Sequence, residues 1–139
     1  MDHTTITAEI LPLAQLHPLT GRWHNQLGSE LVIKADGAGG LTGHYTSGAG
    51  IVAGTRYPLV GTYDPGSQST TTVLGFVVDW TEVHAVTVWS GQYHHDDGTI
   101  AATWLMATET DEGDEWKSTF VGHDLFHRDL TITSGDGEV

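Results

Sequence analysis

Residues 84–108, HAVTVWSGQYHHDDGTIAATWLMAT, decide the fold. In the first half, Ala85, Thr87, Trp89 and Gly91 alternate with Val86, Val88 and Ser90. In the second half, Ala102, Trp104 and Met106 alternate with Thr103 and Leu105. A period of two places each set on one face of an extended strand. Between them lies His95-Asp96-Asp97-Gly98, a turn signal in which Asp and Gly tolerate the positive φ of a tight hairpin. The segment therefore reads as two antiparallel strands joined by a short turn.

The same grammar continues in both directions. Strands are expected near residues 20–26, 30–35, 41–47, 57–63, 71–80, 84–93, 99–108 and 116–126, separated by Gly-, Asp- and Ser-rich turns. Such short connections exclude parallel pairing, which needs crossovers of about a dozen residues. An open sheet of eight strands would expose two long edges, and closing it removes both. The expected fold is all-β, an eight-stranded antiparallel up-and-down β-barrel, with an interior wide enough for one small ligand. The chain has 139 residues, consistent with a single domain. Residues 1–18 read as an N-terminal extension broken by Pro12 and Pro18, residues 19–127 as the barrel, and residues 128–139 as a flexible tail.

Charge narrows the partners. Five basic residues face 18 acidic ones, giving a formal net charge of −13. A phosphate backbone would be repelled, so no nucleic acid partner is expected, and an anionic membrane surface is disfavoured for the same reason. No apolar run reaches the roughly 20 residues of a membrane helix. Cysteine is absent, which removes disulfides and thiolate chemistry.

Alternation also sorts candidate site residues. Trp23, Asn25 and Leu27 fall on one expected face, with Ser29 two residues on. Tyr45 and Ser47 share a face with Gly43, Thr87 and Trp89 with Ala85, Trp104 and Met106 with Ala102, and Asp124 with Gly122 and Phe126. Aromatic walls with a few fixed polar groups are the composition of a small-molecule site. Each residue alone also fits a plainer role, a turn or cap for Asn25, Ser29 or Asp124 and core for a tryptophan.

Four segments carry a family resemblance: residues 19–29 (LTGRWHNQLGS), 41–47 (LTGHYTS), 87–93 (TVWSGQY) and 116–124 (WKSTFVGHD). In order and spacing they resemble the avidin family, its bacterial streptavidin-like members in particular. The resemblance spans about residues 19–127. It implies a non-catalytic, high-affinity biotin-binding barrel, biotin being the ligand rather than a cofactor. It also implies a homotetramer, secreted, although no signal peptide is visible in this chain. Asn25, Ser29 and Tyr45 would donate to the ureido oxygen of biotin, while Asp124 and Ser47 would accept from its N–H groups. Thr87 would touch the thioether sulfur. Trp80, Trp89 and Trp104 would wall the ligand, with Leu27 and Met106 beside them, and Trp116 would cap the site of a neighbouring subunit.

Two positions depart from the family pattern. Ala85 stands where streptavidin-like members carry a serine that helps hold the biotin carboxylate. Residues 48–55 form a loop about one residue longer than in the streptavidin-like members that the chain resembles. Faster ligand release than in the tightest members is expected from both.

Other chemistry is weaker. His94-His95-Asp96-Asp97 contains metal-ligand residue types but lies in the hairpin turn, and no metal site is expected. His123 beside Asp124 suggests a base and its orienter, but no nucleophile accompanies them, so no catalytic residue is assigned. A lipocalin-like carrier of another small ligand is the competing reading. It gives no reason for five polar side chains on one interior, since buried polar groups need partners.

Overall fold

The computed structural model describes residues 17–66 and 70–129. The expectations for residues 1–16 and for the tail from 130 onward lie outside the described residues. Eight strands form one closed antiparallel barrel in chain order: β1 (Gly21–His24), β2 (Glu30–Ala35), β3 (Gly40–Thr46), β4 (Arg56–Tyr63), β5 (Thr71–Trp80), β6 (Ala85–His94), β7 (Thr99–Thr108) and β8 (Thr119–Arg128). Closure is made where β1 meets β8, at Trp23↔Arg128 and His24↔His127. The expected eight-stranded antiparallel barrel is the fold observed.

Register fixes which side chains point inward. Phe76 opposes Trp89 and Trp89 opposes Trp104 across β5, β6 and β7. Gly91, Ala102 and Asp124 lie level across β6, β7 and β8. Gly91 is required here by close approach: a Cβ on it would lie 2.1 Å from the Ala101 carbonyl oxygen. Gly122 is required for another reason, because a Cβ there would sit 2.2 Å from the ring of Trp104. A tryptophan on β7 thus has a gap on β8 to lie across.

One end of the barrel is filled by apolar packing. Leu19, Trp23, Leu31, Ile33, Ile100 and Phe126 are fully buried. Trp23 donates its indole N–H to the Leu19 carbonyl at 3.1 Å, and the Arg128 guanidinium lies 4.2 Å over its ring. Arg128 also donates to the carbonyls of Thr20 and Pro18, strapping the chain entry across the base of β1.

Three boundaries differ from expectation by two residues or more, the end of β1 and both ends of β8. β1 ends at His24 because the Asn25 side chain takes over the local hydrogen bonding, its Oδ1 accepting from the N–H groups of Leu27 and Ser29. Leu27 therefore sits in a turn, 60% exposed, and the alternation that placed it beside Trp23 does not extend to it. β8 starts at Thr119 and runs to Arg128. Trp116 lies before it, in a 3₁₀ turn at Glu115–Lys117 rather than in a strand, and is 82% exposed.

Candidate ligand-binding site

Above the apolar plug, the interior becomes polar around one carboxylate. Asp124 is buried and comes from the inward face of β8. It accepts from Trp89 Nε1 at 2.8 Å, from Asn25 Nδ2 at 3.1 Å and from Gln26 Nε2 at 3.1 Å. Three N–H donors from two distant parts of the chain thus meet one anion, and charge-assisted bonds of this kind are the stronger sort.

Asn25 does two jobs. Its carbonyl oxygen closes the β1–β2 turn, and its amide group reaches inward to Asp124 and, at 3.4 Å, to Tyr45 Oη. The turn reading of this residue therefore holds, and the same side chain also lies in the buried polar interior. Ser29 follows on the far side of that turn, is buried, and is hydrogen-bonded to Tyr45. Its hydroxyl also accepts from the Gly48 N–H at 2.9 Å, which ties the 48–55 loop to the site. Burial holds the Tyr45 phenol well above its usual range, the charge of Asp124 adds to this, and the Ser29 hydrogen bond opposes it. Tyr45 consequently keeps its proton and remains a donor.

Aromatic rings enclose these groups. Tyr45 lies 4.8 Å from Trp89 and 5.7 Å from Trp80, and Phe76 stacks on Trp89 at 4.8 Å. Trp80 donates its indole N–H to Thr87 Oγ1 at 2.7 Å, which fixes both side chains near the upper end of β5 and β6. Trp104 and Met106 are half-buried against this cluster from β7. The structure thus brings Asn25, Ser29, Tyr45, Trp80, Thr87, Trp89, Trp104, Met106 and Asp124 to one interior. Ser47 stands at its border, with its hydroxyl donating to the Ala49 carbonyl at 2.7 Å inside the loop. Leu27 and Trp116 stand outside it, on the surface.

Gln26 was not singled out from the sequence. It donates to Asp124 and to the His123 carbonyl, and accepts from the Leu125 N–H, so it clamps β8 to the β1–β2 turn. The only signal was its place beside Asn25, and a glutamine in a turn is ordinarily solvated. His123 points the other way from Asp124 and meets Thr103 at 3.1 Å on the outer wall. The His94–Asp97 segment is a turn in which Asp97 accepts from the hydroxyl and N–H of Thr99. Among the described residues, no cluster of His, Asp or Glu could hold a metal.

A closed barrel whose interior joins an anchored carboxylate, convergent donors and aromatic walls is a small-ligand-binding β-barrel. The comparisons narrow that class. A sequence model of the avidin family matches residues 14–129. Avidin from Gallus gallus is 33% identical over 79% of this chain and 77% of its own length. Avidin-related protein 4/5 of the same species is 31% identical over 95% of this chain and 99% of its own length. Avidin-related protein 1 is 33% identical over 82% of this chain and 79% of its own. The chain belongs to the avidin family, whose members are non-catalytic binding proteins.

Proposed function

We propose that the protein binds biotin inside the barrel, tightly and without chemical change. The observation that carries this reading is the convergence of Asn25 Nδ2, Tyr45 Oη and the Asp124 carboxylate in one buried network against Trp89. A cyclic urea is complementary to that set. Its oxygen accepts from Asn25, Ser29 and Tyr45, and its N–H groups donate to Asp124 and Ser47. Donors on the oxygen polarise the urea and make its N–H groups better donors to the carboxylate, as in an oxyanion hole with no bond broken. Asn25 and Asp124 bond to each other within the protein, so a urea entering between them replaces one internal hydrogen bond with several of its own. Thr87 faces the sulfur, and Trp80, Trp89, Trp104 and Met106 add apolar burial at about 25 cal/mol per Å².

The outer wall supports assembly with further copies of this chain. Val86, Val88, Leu105, Val121 and Leu125 are all exposed on the outward faces of β6, β7 and β8, and contiguous apolar patches of this kind mark interaction surfaces. A shallow depression of about 530 Å³ on the same wall is bordered by Ser90, Gln92, Thr103 and His123. Trp116 is exposed on its 3₁₀ turn and free to make a contact outside its own barrel, and in the homotetramer we propose it would cover the site of a neighbour. The streptavidin-like grouping and a secreted location rest on the four sequence segments and on family membership.

Biotin titration followed by tryptophan fluorescence tests the reading, because Trp80 and Trp89 line the proposed site. Saturable quenching or enhancement is expected for the wild type, with affinity reduced about a hundredfold in Asp124→Ala. An unchanged spectrum with biotin, but a response to a retinoid or fatty acid, would favour a carrier of another ligand. Light scattering should return the mass of four chains, and Trp116→Ala should speed biotin release.

A further inference from the structure

The register gives the proposed site a depth. Asp124 is level with Gly91, and the inward positions above Gly91 on β6 are Trp89, Thr87 and then Ala85. A ligand anchored by its urea at Asp124, with its sulfur at Thr87, sends its side chain out past Ala85. The rim there is formed by Tyr57 at the start of β4, Trp80 at the end of β5 and the 3₁₀ turn Thr81–Val83.

That rim is acidic. Glu82 is held in place by the Thr81 hydroxyl, which donates to its Oε2 at 2.8 Å, and by a hydrogen bond with the Tyr57 phenol. Tyr57 in turn packs on Trp80 at 5.0 Å, so the carboxylate is fixed beside a wall of the site. Glu109, just beyond β7, bonds its N–H to the His84 carbonyl, and its carboxylate lies 3.9 Å from the His84 ring. Ala85 is buried and offers a methyl group where a hydroxyl could have received an anion. From Thr71 to Glu115 the chain contains no Lys or Arg. Two cations border this end of the barrel among the described residues: Arg56, which precedes inward-facing Tyr57 and acts on His44 on the outer wall, and Lys117, just before β8, which pairs with Asp114 at 3.6 Å. The Thr81 and Tyr57 hydrogen bonds hold the Glu82 carboxyl below the usual range, so it is ionised at neutral pH.

We infer that this mouth discriminates against a free carboxylate and favours biotin whose side chain ends in a neutral amide, with Glu82 as the residue that sets the preference. The inference rests on the biotin reading and names the form of the ligand. An anion emerging beside Glu82 meets like charge and no donor side chain at Ala85. An amide meets neither penalty, and its N–H can donate to the Glu82 carboxylate. Biotin attached to a lysine side chain of another protein has this chemistry.

Competition between biotin and biotinamide on the full chain tests it. Biotinamide should bind about tenfold more tightly than biotin near neutral pH, as expected for a like-charge contact near a protein surface. Glu82→Gln keeps the size and hydrogen bonding of the side chain and removes the charge. It should raise affinity for biotin and move biotinamide much less, collapsing the ratio. If neither ligand binds, the biotin reading itself fails. If both bind and biotin equals or exceeds biotinamide, the inference is overturned with the biotin reading intact. A biotinamide preference that survives unchanged in Glu82→Gln overturns the assignment to Glu82.

Discussion

The two halves of the barrel interior are built on opposite principles. At the base, Leu19, Trp23, Ile33, Ile100 and Phe126 fill the space with apolar side chains, and the polar atoms present serve to hold chain entry in place. Above them, Asn25, Ser29, Tyr45 and Asp124 occupy the same kind of interior with polar groups that satisfy one another. The base gains stability from removing apolar area from water. The upper half gains little net stability from exchanging hydrogen bonds with water for internal ones, but it gains direction, because each donor and acceptor is fixed. One closed sheet therefore carries a stabilising plug and a polar layer that we propose for recognition, and changes in the two should be read out by different measurements.

The largest effect is expected from Trp23→Ala. Removing this fully buried ring leaves a cavity beneath Arg128 and should cost about 3–5 kcal/mol in denaturant unfolding at fixed protein concentration. If it instead left stability unchanged and abolished ligand binding, the division between the two halves would be wrong. Asp124→Ala sharpens the same division from above. It strands the N–H groups of Trp89, Asn25 and Gln26, so a loss of stability of about 1–3 kcal/mol is expected, smaller than for Trp23→Ala but accompanied by the roughly hundredfold fall in affinity. Gln26→Ala should have a milder effect. It frees β8 from the β1–β2 turn and removes one of the donors to Asp124, reducing ligand affinity about fivefold with a faster off-rate and a nearly unchanged melting temperature.

The smallest expected effect is the dependence of the base on pH. The His17 ring packs on Tyr63 at 4.6 Å, and its Nδ1 accepts the Leu19 N–H at 3.1 Å. Burial, with a lesser contribution from the charge of His95, holds His17 below its usual range. The unfolded chain thus takes up a proton more readily than the folded one, and stability rises with pH. The contribution is fully present above the ordinary histidine range, near pH 6.5, and is lost as pH falls from there toward the lowered folded value. A protonated ring can no longer accept from Leu19. The fall in melting temperature from about pH 7 to about pH 5 should be shallower in His17→Gln than in the wild type. An equal fall in both would remove His17 from the account of the base.

Much of the proposed recognition layer was legible because strand alternation is a local rule. Tyr45, Thr87, Trp89, Trp104 and Asp124 lie in strands, and each points where a period of two directs it. The rule stops where the strand stops. Leu27 was misplaced because the Asn25 side chain diverts the backbone into a turn, and Trp116 was given to a strand although it stands on a 3₁₀ turn. Gln26 and Glu82 were missed for a related reason: a polar side chain in a turn has no pattern that distinguishes a solvated group from one aimed at the site.

The sequence by itself determined that the chain forms eight antiparallel strands, that they close, and which faces of the strands carry rings and which carry polar groups. These follow from side-chain alternation and from turn chemistry, both set by neighbours along the chain. Only the tertiary structure decided that the Asp124 carboxylate, the Asn25 amide and the Trp89 indole meet at one point, and that Tyr57 holds Glu82 at the rim. Those contacts depend on the register with which β8 returns to β1 and β4 lies against β5, a relation among distant segments that local pattern does not encode.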